Sequence, residues 1–407
     1  MSVWVERRIG SIAEVIAGGT PSTSISEYWD GEISWITPND LSNYNKRYIA
    51  RGERNITALG LRKSGAKNLP RNTLLLTSRA PIGYLALAEN EVTTNQGFKN
   101  MICDAEQVIP MFLYYYIKLN VEYFKAFATG ATFPELSGGT LKRIKIFLPP
   151  LPTQTRIAEI LSTYDDAIEN NNRRIALLEQ AVQEVYREWF VRFRFPGYEN
   201  AKFVNGLPEG WNVVKLGSLV NITSSKRSYD EDRTETGVPL YRSKEIIQIE
   251  NGDAITEPLF ISEEWFSKIK EKFGAPQEND ILITSRGTIG VPFLVDKRVF
   301  YFSDGNLTWL QSGKKPDIAL FLYLWLKSPL GQGALLTSII GTSQSALPIE
   351  KLKKIKLMKP SVDVLSCFCK NAMVLIEQKR ALQSQNQNLA RQRNILLPRL
   401  MSGKLEV

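Results

Sequence analysis

The sequence predicts a mixed α/β (α+β) protein of two tandem globular domains separated by two long antiparallel coiled-coil helices, a pseudo-twofold internal repeat. Three observations predict it. A Thr-Ser-Arg-x-x-Ile-Gly stretch at Thr77–Gly83 returns at Thr284–Gly290, 207 positions later. Inside each copy, short apolar runs stop at turn residues. After each copy comes a heptad pattern. A fixed period in a chain of 407 residues implies duplicated folding units rather than one large core.

The first copy is placed at 1–150. Trp4 and the Ile9-Gly10-Ser11-Ile12 stretch open it, and Trp211 and Leu216-Gly217-Ser218-Leu219 open the second copy. Leu74–Thr77 and Ile281–Thr284 are apolar runs of strand length bounded by Gly-containing turns, which predicts buried strands. Phe112–Tyr123 and Ala319–Lys327 carry helical patterning. Leu141–Ile146 matches Leu352–Leu357 at an offset of 211, so four residues separate the spacing of the two copies. The alternation over Lys351–Lys359 predicts a strand with its lysines outward, either a safeguard on a sheet edge or a track for DNA.

Pro149-Pro150-Leu151-Pro152 ends the first copy, and a helix is expected over 151–195. Ile157, Leu161, Tyr164, Ile168, Asn171, Ile175, Leu178, Val182, Val185 and Trp189 alternate spacings of four and three, the signature of a coiled-coil seam. The second copy is placed at 196–360 and its helix at 361–407. There Phe368, Leu375, Leu382, Leu389 and Leu396 recur every seven residues, while the companion positions Ala372, Lys379, Asn386 and Arg393 are mostly polar. A half-apolar seam requires a partner. Positions 153–195 hold six Arg/Lys and seven Asp/Glu, and 368–400 hold six against one, so the two helices are expected to pair with each other, Asn171 close to Asn386. The order globule, helix, globule, helix then places one globule at each end of a rod about 60 Å long.

Composition narrows the function. The chain has no histidine, which removes the usual general base and commonest metal ligand. Its three cysteines, Cys103, Cys367 and Cys369, form no zinc pattern. No phosphate-binding G-x-x-x-x-G-K-[ST] loop and no glycine-rich cofactor loop is present. Asp363, Glu377 and Lys379 mimic the residue set of a metal-dependent nuclease, but Lys379 falls on the helical seam. Catalysis is therefore not expected. The net charge of +9 lies in 351–407, where twelve Lys/Arg face three Asp/Glu, so residues 1–350 sum to zero. With no long apolar run and no apolar leader, a cytoplasmic protein is expected.

Gly18-Gly19-Thr20-Pro21-Ser22, Glu27–Gly31, Trp35–Leu41, the Thr-Ser-Arg turns, Thr94–Phe98, Gly130–Phe133 and the Leu148–Pro152 junction followed by Gln154 and Ile157 together resemble the DNA-specificity subunits of type I restriction-modification systems. The resemblance covers essentially the whole chain. The second copy departs from it, with Ser224-Ser225-Lys226-Arg227 in place of the Gly-Gly-Thr-Pro stretch and no Pro-Pro junction before the second helix. It implies two target-recognition domains, each reading half of a bipartite asymmetric site, and helices that dock two modification subunits and, through them, restriction subunits. The chain itself is expected to hold no cofactor and no metal, its partners using S-adenosylmethionine, ATP and magnesium. The alternative is a non-enzymatic coiled-coil scaffold whose globules bind proteins.

Candidate DNA contacts are Gly19, Thr20, Ser22, Asn39, Arg79, Asn95, Gln96 and Thr132 in the first domain. In the second they are Ser225, Lys226, Arg227, Arg242, Lys244, Arg286, Asn306, Ser343 and Gln344. An arginine on a turn can fork onto guanine or phosphate, or it can close the turn by an ion pair. Small-residue loops let backbone approach DNA, or they are ordinary tight turns.

Overall fold

The computed structural model describes residues 4–42, 44–130, 132, 134–226, 228–302, 305–341 and 345–407. The chain divides into two compact units, Met1–Glu169 with Leu389–Val407, and Asn170–Asn388. Neither long helix is a body of its own, since each is divided between the units.

In the first unit, strands Ala13–Ala17, Phe98–Cys103, Leu74–Ser78, Ile82–Ala88 and Tyr48–Ile49 lie side by side in that order, antiparallel except for the last pair. A three-stranded sheet joins Arg54–Ile56, Trp29–Ile36 and Thr93–Thr94. Val5–Arg8 pairs with Lys145–Leu148 immediately before the first long helix begins at Leu151. Helix Pro110–Leu119 buries Phe112, Leu113, Tyr115 and Ile117, which lie on several of its faces, as a helix enclosed in a core must. Its start is fixed by Gln154. This buried amide accepts from Ile109 N at 2.9 Å and donates to Gln107 O at 3.0 Å and Pro149 O at 2.9 Å.

The second unit repeats this plan internally. Strands Asn221–Thr223, Leu307–Gln311, Ile281–Thr284 and Pro292–Leu294 follow the same order, Asn212–Lys215 pairs with Lys356–Lys359, and Pro316–Lys327 is the enclosed helix. The equivalence extends to register: Phe98 stands opposite Thr77 as Leu307 stands opposite Thr284. The units differ in one inserted region. Where the first has the turn Pro38–Leu41 and helix Ala58–Arg62, the second has the longer helices Ser243–Asn251 and Glu263–Phe273.

Two expectations need correction. Lys351–Lys354 are helical, the end of a helix Ile349–Lys354, and only Lys356–Lys359 are strand. The alternation failed because Leu352 and Ile355 are three apart and are buried by a helical turn. The first long helix ends at Phe190, before the expected 195; Phe193 has a left-handed φ of 57°, and Phe195 folds into the second unit's core.

Within each unit the helices run antiparallel. In the first, Asp165 pairs with Arg393, and Ile157, Leu161, Leu397 and Leu400 join one core. In the second, Asn171 meets Asn386, Glu179 meets Lys379 at 2.7 Å, and Trp189 packs on Phe368. Ile168, Ile175, Leu178, Leu375, Leu389 and Leu396 are partly buried along these helices, and Val182 and Leu382 are buried. The polar seam positions of the second helix are thus each matched by a polar group on the first. The repeated tryptophans share a role: Trp4 lies against Gly403 just past the second helix, and Trp211 against Phe190 at the end of the first.

Candidate nucleic-acid interface

The two Thr-Ser-Arg turns are built alike. Thr77 and Thr284 are fully buried, and each hydroxyl accepts a backbone N–H across the turn at 2.9 Å, from Tyr84 and Val291. Ser78 N donates to Gly97 O at 2.7 Å and Ser285 N to Asn306 O at 2.7 Å. On the other side Leu136 N donates to Ser78 O at 2.9 Å and Leu347 N to Ser285 O at 3.0 Å. Bridges Thr129 to Glu135 and Ile340 to Ala346 complete the two equivalent edges.

The side chains on these edges differ. In the first unit Lys99 Nζ donates to Glu135 at 2.9 Å and to Ser78 Oγ at 3.2 Å, and Arg79 stands 4.0 Å from the same carboxylate. The hydrogen bond from Lys99 holds the Glu135 carboxyl below the usual range. Register puts Thr308 where Lys99 stands and Ala346 where Glu135 stands. Arg286 is consequently exposed, and its guanidinium has no ion pair among the described residues. Arg79 thus has a carboxylate beside it, and Arg286 has none among the described residues.

Several further candidates gather at the first edge. Gln96 is exposed and accepts from the Thr20 hydroxyl; Asn95 Oδ1 accepts from Gly97 N at 2.9 Å; Thr132 is exposed beside the Thr129–Glu135 bridge. Asn39 is exposed on the turn Pro38–Leu41, and Pro38 lies against Gly97. Ser22 is exposed but turned to Ser24, 2.8 Å away, while its carbonyl accepts from Trp29 Nε1. Gly19 is a correction. It is buried, its carbonyl accepts from Trp35 Nε1 at 2.9 Å, and a Cβ there would collide with the backbone of Gly65 and Ala66. Its glycine serves chain packing, not an approach to DNA.

In the second unit Asn306 O also accepts from Ser243 Oγ at 3.1 Å, bringing Arg242 and Lys244 toward Arg286. Arg242 forks onto Glu245 at 2.7 and 3.1 Å, and Lys244 pairs with Glu257 at 2.9 Å. Lys226 is exposed, with its N–H on the Tyr301 hydroxyl, and Ser225 Oγ is buried without a partner among the described residues. Arg227, Ser343 and Gln344 lie outside the described residues. Lys99 and Glu135 escaped sequence reading because 36 positions separate them and only strand register joins them.

Among the described residues, no group of His, Cys, Asp or Glu is placed to hold a metal ion, and no helix is long and apolar enough to cross a membrane.

An internally duplicated α/β protein with two matched Thr-Ser-Arg edges and two long pairing helices is the class these features define. The family described as "Type I restriction modification DNA specificity domain" matches residues 1–180 and 208–364. The chain belongs to that family, and its role is that of the DNA-specificity subunit, which recognises DNA and carries no catalysis of its own. It is 35% identical, over 99% of this chain and 94% of the relative, to the type I restriction enzyme MjaIX specificity subunit of Methanocaldococcus jannaschii. To the EcoR124I/EcoR124II specificity subunit of Escherichia coli it is 29% identical, over 47% of this chain and 48% of that one. The fold is similar to a solved S subunit of a type I restriction-modification system from M. genitalium, with a TM-score of 0.63 and 18% identity, covering 98% of this chain and 96% of that one.

Proposed function

We propose that each unit reads one half of a bipartite, asymmetric DNA site through the edge centred on its Thr-Ser-Arg turn. The observation that carries this is the pair of equivalent edges with different side chains: Arg79, Lys99 and Glu135 on one, Arg286, Thr308 and Ala346 on the other. Equal scaffolds with unequal surfaces suit two unlike half-sites. The two long helices dock two modification subunits, and restriction subunits join through them. Those partners supply S-adenosylmethionine, ATP and magnesium chemistry, and this chain needs no cofactor. Its working compartment is the cytoplasm, where the DNA is.

Long-read mapping of adenine methylation tests the reading, in cells that express this chain with its modification subunit and in cells lacking it. A bipartite asymmetric methylated motif that disappears with the chain supports it. An unchanged methylome, with a modification subunit active alongside another specificity subunit, favours a protein-binding scaffold.

A further inference from the structure

The first unit carries an ion pair that the same scaffold does without in the second. Lys99 lies on Phe98–Cys103, an interior strand of its sheet, and its side chain is only 10% exposed. Lysine is seldom buried to that degree, because withdrawing an ammonium from water costs more than an ordinary ion pair returns. Its Nζ donates to Glu135 Oε1 at 2.9 Å and to Ser78 Oγ at 3.2 Å. In the second unit the equivalent positions hold Thr308 and Ala346, yet strand register and the backbone bonds of the turn are the same. The fold therefore does not need the pair. What the pair adds is a carboxylate fixed from beneath at the edge of the turn, where the Glu135 side chain is 40% exposed.

Only one oxygen of that carboxylate is engaged. Oε2 accepts no hydrogen bond among the described residues, and Arg79 Nη1 stands 4.0 Å from it, beyond hydrogen-bond reach. The edge thus presents an acceptor with a guanidinium donor beside it. A carboxylate facing DNA is repelled by the phosphates, so it favours binding only where a base donates to it. The major-groove donors are the exocyclic amino groups of adenine and cytosine. Adenine sets the acceptor N7 next to its amino group, which suits an amide able to donate and accept together. Cytosine offers its N4 amino group with no acceptor of its own beside it, which suits a carboxylate that can only accept. The guanine paired with that cytosine offers O6 and N7 to an arginine.

We propose that Glu135 is a specificity-determining residue of the first unit: its carboxylate, oriented by Lys99, accepts from the N4 amino group of a cytosine, and Arg79 donates to the paired guanine. This rests on the reading of the Thr-Ser-Arg edge as the reader of a half-site, and adds which base pair the first edge requires. The second unit, with Ala346 in that place, sets no such requirement through this position.

The test uses the full chain assembled with its modification subunits and a panel of target duplexes in which each base pair of each half-site is varied singly. Two variants keep the fold within reach. Glu135→Gln retains an oxygen for Lys99, and Lys99→Thr with Glu135→Ala installs the residues with which the second unit folds. Wild type is expected to prefer cytosine at one position of one half-site by about tenfold or more. Glu135→Gln should lose that preference and gain affinity for adenine there, since an amide suits the adenine edge. The double variant should accept all four bases at that position and keep every other preference. A purely structural pair would instead weaken binding evenly at all positions, which overturns the proposal, as does wild-type preference in both variants. If Arg286→Ala still loses one half-site in that case, the two-reader model stands without this assignment. A wild type indifferent to base changes in one whole half overturns both.

Discussion

The Asn171 side-chain amide donates to Asn386 Oδ1 at 2.9 Å, and the Asn386 amide donates in turn to Asn172 Oδ1 at 2.8 Å. Asn171 is 5% exposed, so this is a polar contact inside the helix seam. Such a pair favours one register, because any slip would bury the amides against apolar side chains.

Replacing both, Asn171→Leu with Asn386→Leu, is expected to raise resistance to denaturant, since an apolar pair needs no matching hydrogen bonds. Asn171→Leu alone is expected to cost about 1 kcal/mol, because Asn386 Oδ1 loses its donor. Equilibrium unfolding in urea distinguishes the two. A double variant less stable than the single one would count against a seam governed by hydrogen-bond matching.

Lys379→Met is expected to destabilise the second unit by about 3 kcal/mol. It leaves Glu250, 10% exposed, with Lys327 at 2.8 Å and the Tyr323 hydroxyl at 2.5 Å. Burial pushes the Glu250 carboxyl up, but Lys327, Lys379 and Tyr323 outweigh it and the net shift is downward. A depressed carboxyl contributes stability that is present above its unfolded value, about 4.3, and is lost as pH falls through the folded value. The wild type should therefore hold its thermal midpoint to about pH 5 and lose it below. Lys379→Met should begin to lose it at higher pH, which a series of thermal melts would read.

Arg286→Ala is expected to weaken recognition of one half-site by about 1–3 kcal/mol and leave the other unchanged. Arg79→Ala should affect the opposite half, and less, because Glu135 already competes for that guanidinium. Binding to duplexes altered in one half at a time measures both. Equal loss at both halves would refute independent readers.

Gly19→Ala is expected to act on stability rather than on DNA. The added methyl meets the Gly65–Ala66 backbone, which cannot yield as a flexible side chain would, so a cost of about 2 kcal/mol or more follows. Differential scanning calorimetry should show the first unit melting earlier, with half-site preference retained below the transition.

The repeat and the heptad seam were legible because both rest on spacing, which sequence displays directly. The polar positions Lys379, Asn386 and Arg393 looked like defects in that seam until their partners Glu179, Asn171 and Asp165 appeared opposite them. The two Thr-Ser-Arg edges were legible only as motifs. Arg79 and Arg286 occupy identical motif positions, and what separates them is Glu135 against Ala346, residues brought in by a distant bridge. Gly19 was misread because a glycine needed for burial and one needed for access look the same in sequence. Lys351–Lys354 were misread because a helix of six residues is too short to display a period.

The first unit also has a history in time. Leu397, Leu400 and Met401 belong to its core, and Gly403 lies against Trp4. A ribosome adding about 5–20 residues per second needs roughly 20–80 s to travel from Trp4 to Gly403. The second unit, whose residues run without a break from Asn170 to Asn388, is synthesised in full before that interval ends. The domain synthesised first must therefore wait, with part of its apolar surface uncovered, until the domain synthesised second has been finished.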